Sequence, residues 1–283
     1  MRLRFLLPLL TLLTIGVVPA AADPVVQSAT NTMSDAALDA YWTPERIAHA
    51  KPAPVPVVSS VVEAKPDGPA VSIPGTASRT RGVYETTGRL LFSQNGGDWI
   101  CSATVVASNN ASVIATARHC GFNGTVGSNF RFAPSYNGGN APQGWWNWRS
   151  AGWATGGDGI TNDLAFIVLN TQNGRRVGDV VGTNGIGFNF AVNTYAYIVG
   201  IPASTDQRLR CEGNAYTGPA GQQLMNNCNG MSGGASGGSW SQQWQSAGWS
   251  YQTGTFYGSY GAAAAGSYYG SLANDIWNGA QNA

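Results

Sequence analysis

From about Thr86 onward the chain alternates short apolar runs with Gly, Asn and Ser. RLLFS, WICSATVVAS, SVIATA, FRFA, DLAFIVL, TYAYIVG, RLRC and GSWSQ are rich in Val, Ile, Thr and aromatics, and turn residues bound them. Such runs are the signature of strands. No stretch keeps an apolar period near 3.6 until SLANDIWNG close to the C-terminus, which predicts one short helix. Many short strands over roughly 200 residues predict an all-β fold, either paired barrels or a sandwich.

The first 81 residues read differently. MRLRFLLPLLTLLTIGVVPAAAD has Arg2 and Arg4 before an apolar stretch, and Ala20 and Ala22 at a small-x-small site. That pattern predicts a signal peptide over residues 1–22, cut after Ala22; the stretch is short for a membrane span. Residues 23–81 hold most of the prolines, as in KPAPVPVV and KPDGPAVSIPG, which predicts extended and weakly packed backbone. Within them Thr43 is a helix cap, Pro44 suits the first helical position and Glu45 the positive first turn. We read this block as a pro-region or linker, with Arg79, Arg81 and Gly82 as a basic processing site.

Charge narrows the partners. Only 10% of the 283 residues are charged and the net charge is +1, so no electrostatic footprint for nucleic acid or an anionic membrane exists. A hydrophobic fraction of 43% allows a packed core. The four cysteines, behind a secretory signal, predict two disulfides. Three connectivities exist; Cys101–Cys120 and Cys211–Cys228 are the sequence-local choice.

The chemistry concentrates in CNGMSGGASGGSW, residues 228–240, where Gly-x-Ser-Gly-Gly occurs twice, centred on Ser232 and Ser236. A serine nucleophile needs an imidazole to take its proton, a carboxylate to orient that imidazole, and backbone amides facing the oxyanion. The chain has two histidines, and His49 falls in the pro-region, which leaves His119 in SVIATARHC. Asp163 opens the apolar strand DLAFIVL, where an unpartnered charge is costly. Asp158, in GGDG, reads as a turn residue facing water, and Arg118 as pointing to solvent.

The order His119, Asp163, Ser, with Cys101, ATARHC, NDLAFIVL and GASGGSW, resembles the chymotrypsin-like serine peptidases. More narrowly, TGRLLFSQNGGDWICSATVV, FAPSYNGGNAPQGWW, NGRRVGDVVGTNG and the precursor run YWTPERI are similar to the secreted, glutamyl-endopeptidase-like bacterial branch of the actinobacterial kind. The likeness spans roughly residues 40 to 270; any one motif is weak, but all in order are strong. The resemblance implies an all-β fold of two antiparallel six-stranded barrels with a short C-terminal helix, over residues 82–180 and 181–283. It implies His119, Asp163 and Ser236 as the triad, with the amides of Gly234 and Ser236 as the oxyanion hole. Ser232 then lies outside the triad.

Departures from the family carry information. Ala235 stands where digestive members place an Asp that pairs with the new N-terminal amine, so that switch is closed to this chain. Activation is expected through loss of the pro-region, or the pocket is already formed. No His follows His119 to read a substrate glutamate, and the loop from Gln222 to Ala235 has no acid. An uncharged pocket near Gly230 and Thr255 to Gly258 implies neutral or apolar residues before the scissile bond. The Trp-rich run over residues 144–153 reads as barrel packing rather than a sugar platform.

The function expected is a secreted serine endopeptidase acting on protein or peptide substrates, a monomer without metal or organic cofactor. A non-catalytic binding protein on the same fold is the alternative. An α/β-hydrolase esterase is disfavoured by the order of the triad and by the lack of alternating helices.

Overall fold

The computed structural model describes residues 24–56, 63–76, 83–219 and 221–283. The signal segment and the basic site at Arg79, Arg81 and Gly82 lie outside the described residues. Ahead of the barrels come β1 (Val25–Thr30), α1 (Asp35–Tyr41), α2 (Pro44–His49), β2 (Lys51–Pro52), β3 (Val71–Ile73) and α3 (Val83–Thr86).

The first barrel comprises β4 (Thr87–Gln94), β5 (Gly97–Val105), β6 (Val113–Thr116), β7 (Ser128–Pro134), β8 (Trp146–Thr155) and β9 (Ala165–Leu169). Its order is β8-β7-β4-β5-β6-β9, and pairing of β9 with β8 closes it. Then follow α4 (Val177–Val181) and β10 (Gly185–Phe188). The second barrel comprises β11 (Tyr195–Gly200), β12 (Leu209–Thr217), β13 (Gln223–Met225), β14 (Ser239–Gln242), β15 (Tyr251–Tyr260) and β16 (Ala263–Gly266). Its order is β14-β11-β12-β13-β16-β15, closed by β15 on β14. Closure removes the edge strands that would otherwise expose unpaired backbone.

Each barrel has its own core. Phe92, Phe130, Phe132, Ile114 and Ile167 fill the first, and Ile198, Met225, Trp240 and Phe256 the second. The Trp-rich run is mostly β8: Trp146, Trp148 and Trp153 are all buried, as packing residues are. The expected C-terminal helix is α5 (Ser271–Gln281), whose Ile276 and Trp277 pack with Phe166 of β9 and Phe188 of β10.

The N-terminal block overturns one expectation. Thr43 does cap α2, its hydroxyl accepting from the Arg46 amide. The block is not weakly packed, however. β1 extends the first barrel through β8, β2 lies along β5, and β3 pairs with β10. Leu38 and Trp42 are buried, and the Trp42 indole donates to the carbonyl of Asn129 at 2.6 Å. Burying one such apolar side chain is worth about 2 kcal/mol, so few of them outweigh a proline-rich composition.

Candidate active site

The seam between the barrels collects the polar residues. β6 ends at Thr116 and turns tightly, with the Cys120 amide donating to Ala117 and the Phe122 amide to Arg118. The turn carries His119, and the Cys101–Cys120 disulfide ties it to β5. The second disulfide is Cys211–Cys228. Both match the sequence-local pairing. Cys101, His119 and Cys120 cluster closely, but with both sulfurs in a disulfide the group offers no thiolate to a metal.

Asp163 sits just before β9 and is fully buried. One carboxylate oxygen accepts the His119 backbone amide at 2.9 Å, and the other accepts from Nδ1 at 2.6 Å. A carboxylate acceptor places a proton on Nδ1, which in a neutral ring leaves the lone pair on Nε2. Nε2 is buried and has no hydrogen-bond partner among the described residues.

Ser236 is buried too, whereas Ser232 is exposed. The Ser236 hydroxyl does not bond His119; it donates to the carbonyl of Tyr257 at 3.3 Å. Tyr257 sets its ring edge-on to the imidazole, 5.7 Å between centroids. Serine and histidine thus share a neighbour, Tyr257, whose carbonyl accepts the serine hydroxyl and whose ring faces the imidazole; resting structures often hold catalytic bonds open.

The loop before Ser236 is held firmly. Ala235, Gly237 and Gly238 donate their amides to Ser232, Phe256 and Ala235. The amides of Gly234 and Ser236 make no such bond among the described residues. The Gly233 carbonyl accepts from Ala203 at 2.8 Å, and the Gly234 carbonyl from the Ser102 hydroxyl at 2.9 Å. Gly237 has φ +81°, and a Cβ there would stand 2.2 Å from Thr116 Oγ1. Only glycine fits that approach.

Several participants carried no signal in the sequence. Arg89 of β4 is fully buried, donates to the carbonyls of Ile201 (2.8 Å) and Gly234 (3.3 Å), and pairs with Asp206 at 2.7 Å. The Tyr136 hydroxyl bonds the other oxygen of Asp206; burial, then the hydrogen bond and charge of Asp206, push the phenol up to about 12. Burial and the Asp163 charge likewise push Tyr257 up to about 12, so it stays neutral. Two readings are corrected. Asp158 is buried and accepts the amides of Ile160 and Thr161. Arg118 is buried and donates to the carbonyls of Ala154 and Gly156, both at 3.1 Å. Each found backbone partners, Asp158 within its own loop and Arg118 at the end of β8, which satisfies a buried polar group as water would.

A double six-stranded barrel with its polar residues along the seam is the architecture of the chymotrypsin-like proteases. No protein-family model matches the sequence, and no curated protein matches it. Among solved structures, the chain is similar to protease Anisep from Arthrobacter nicotinovorans. Identity is 32% over 75% of this chain and 100% of that one, with a TM-score of 0.65. It is also similar to a thermostable serine protease, AL20, from an extremophilic microorganism. Here identity is 33% over 70% of this chain and 98% of that one, with a TM-score of 0.61. The chain belongs to this family of bacterial serine proteases.

Proposed function

We propose that the chain is a secreted serine endopeptidase of the glutamyl-endopeptidase-like branch, made with a signal peptide over residues 1–22 and a pro-region over 23–81. It hydrolyses peptide bonds through His119, Asp163 and Ser236. The observation that carries this reading is the Asp163–His119 pair, which leaves Nε2 without a hydrogen-bond partner among the described residues, on an imidazole that faces Tyr257, the acceptor of the Ser236 hydroxyl. Ser236 rotates from the Tyr257 carbonyl toward Nε2 and attacks the peptide carbonyl as His119 takes its proton. The carbonyl oxygen, now an anion, accepts from the amides of Gly234 and Ser236. Asp163 stabilises the imidazolium, which protonates the leaving amine. Water then attacks the acyl-enzyme by the same route in reverse roles.

The substrates are proteins or peptides, cleaved after neutral or apolar residues by a monomer. Extracellular location fits the two disulfides; no helix among the described residues is long and apolar enough to cross a membrane. The deciding experiment compares Ser236→Ala with Ser232→Ala on casein, alongside fluorophosphonate labelling of the parent. Ser236→Ala should abolish both signals and Ser232→Ala neither. Loss confined to Ser232→Ala would overturn the assignment. A folded chain that neither labels nor cleaves would favour the binding-protein alternative.

A further inference from the structure

Residues 51–56 cross the seam at the proposed catalytic residues. Lys51 and Pro52 run parallel to Trp99 and Ile100 of β5, and the Ala53 amide donates to the Ile100 carbonyl at 3.1 Å. The Ala53 methyl is buried in the cluster that holds Cys101 and Cys120, the disulfide next to His119. A Cβ on Gly233, one residue before the oxyanion amide of Gly234, would stand 2.9 Å from Pro52. A Cβ on Gly258 would stand 3.3 Å from Val55. The Tyr257 hydroxyl donates to the carbonyl of Pro56. Tyr257 is the residue whose ring faces His119 and whose carbonyl holds the Ser236 hydroxyl. Past the undescribed residues 57–62, the Ala64 amide donates to Gly221 of the second barrel at 2.7 Å. One stretch of chain thus touches both barrels, against neighbours of His119 and of Ser236, while Asp163 lies buried.

We propose that residues 51–56 are an in-cis occupant of the catalytic cleft, held on two main-chain hooks that a peptide substrate takes over when the segment leaves: the carbonyl of Ile100 and the hydroxyl of Tyr257. The proposal rests on the protease reading above. Both hooks ignore side chains, since one accepts an N–H and the other donates to a C=O, so they suit extended peptides of varied sequence. Side-chain selection falls on the buried position that Ala53 fills beside Ile100, which holds a small residue. Leu38 and Trp42 of the upstream segment, with Arg46 and Tyr41 on Asp98, keep the occupant at high local concentration.

The test uses the uncut chain, Ala53→Trp and Tyr257→Phe. Trp at residue 53 has no room in the cluster and expels the segment; Phe at residue 257 keeps the ring on His119 and deletes one hook. Three readouts are taken: hydrogen exchange over residues 44–56, fluorophosphonate labelling of Ser236, and hydrolysis of a long quenched peptide. In the parent the segment should be protected and labelling slow. Ala53→Trp should lose protection and label at least tenfold faster. In the Ala53→Trp background, Tyr257→Phe should raise KM severalfold, by more than it lowers kcat. The proposal is overturned if the uncut parent labels as fast as Ala53→Trp, if residues 44–56 exchange freely in the parent, or if Tyr257→Phe moves neither labelling nor KM. Protection without labelling or hydrolysis in any form would overturn the protease reading, and with it the role given to the segment, whose placement alone would stand.

Discussion

Arg89 and Asp206 form an ion pair whose two ends sit in different surroundings, and that asymmetry sets the order of two mutational costs. The Arg89 side chain is 2% exposed and the Asp206 side chain 39%. Arg89→Met keeps most of the stem and removes the guanidinium. The Gly234 carbonyl retains the Ser102 hydroxyl, so only the Ile201 carbonyl loses its side-chain donor. An orphaned buried acceptor costs about 1–3 kcal/mol. The abandoned Asp206 carboxylate is still hydrated, which limits that part to about 1 kcal/mol. Relief from burying a charge offsets some of this, and a net loss of about 2 kcal/mol results. Asp206→Ala does the reverse: it strands a buried cation, for about 3–5 kcal/mol. The more exposed residue should therefore be the more costly to remove. Urea unfolding on a Ser236→Ala background, which prevents self-digestion, reads both values from Trp fluorescence. If Arg89→Met costs more than Asp206→Ala, or less than about 0.5 kcal/mol, the asymmetry argument is wrong.

Three further outcomes follow from the same geometry. Asp163→Asn presents an amide N–H to one of the two His119 donors; facing Nδ1, it shifts the ring proton to Nε2 and should lower kcat about 10⁴-fold with the fold retained, read by titrated active-site kinetics. Burial raises the Asp98 carboxyl, but hydrogen bonds from Tyr41, Ser93 and Arg46 and the Arg46 charge outweigh it and hold it below the ordinary value. A depressed carboxylate stabilises docking of the N-terminal segment above about pH 4 and loses that contribution as pH falls through its own lower value; hydrogen exchange over residues 35–56 should rise there before the barrels open. A peptidase starting at Gly82 and one with a single extra residue before it should differ less than twofold in kcat/KM, since Ala235 offers no partner to the new amine.

The strands visible in the sequence were those with Val, Ile and large aromatics, such as β4, β5, β9 and β11. β13 and β16 escaped because Gln223, Ala263 and Ala264 have low strand propensity, while β8 and β15 carry large aromatics but are interrupted by Gly152, Gly254 and Gly258; these segments are buried largely through closure of the barrels, a tertiary effect that no local window reports. His119, Asp163 and Ser236, the proposed triad, could be singled out in the sequence because each lies near a strand boundary, in the order of the family it resembles. Arg89, Tyr136 and Asp206 were not, since their meaning comes from partners more than a hundred or some seventy positions away. The packed N-terminal block was missed for a similar reason. Its burial depends on isolated residues, Leu38, Trp42 and Ala53, set among prolines that pull the average toward disorder.

The loop proposed to bind the oxyanion bears on how a precursor of the proposed kind would be restrained. Ala235 is buried with Ala196, Ile198 and Trp240, and the carbonyls of Ser232, Gly233 and Gly234 are tied to Ala235, Ala203 and Ser102. None of these bonds involves an N-terminal amine, and all are made while the N-terminal block is still joined to the barrels. The amides of Gly234 and Ser236, the proposed oxyanion donors, make no backbone bond among the described residues while the N-terminal block is docked. A precursor with a formed loop cannot be restrained by a collapsed one, as an acid-for-amine switch would require. Competition for the cleft by residues 51–56, as proposed, is a restraint that a formed loop permits. Restraint of this kind scales with how tightly the segment docks, so loosening Trp42 or Ala53 should raise activity in the uncut chain by degrees, whereas loss of an ion-pair switch would act all at once.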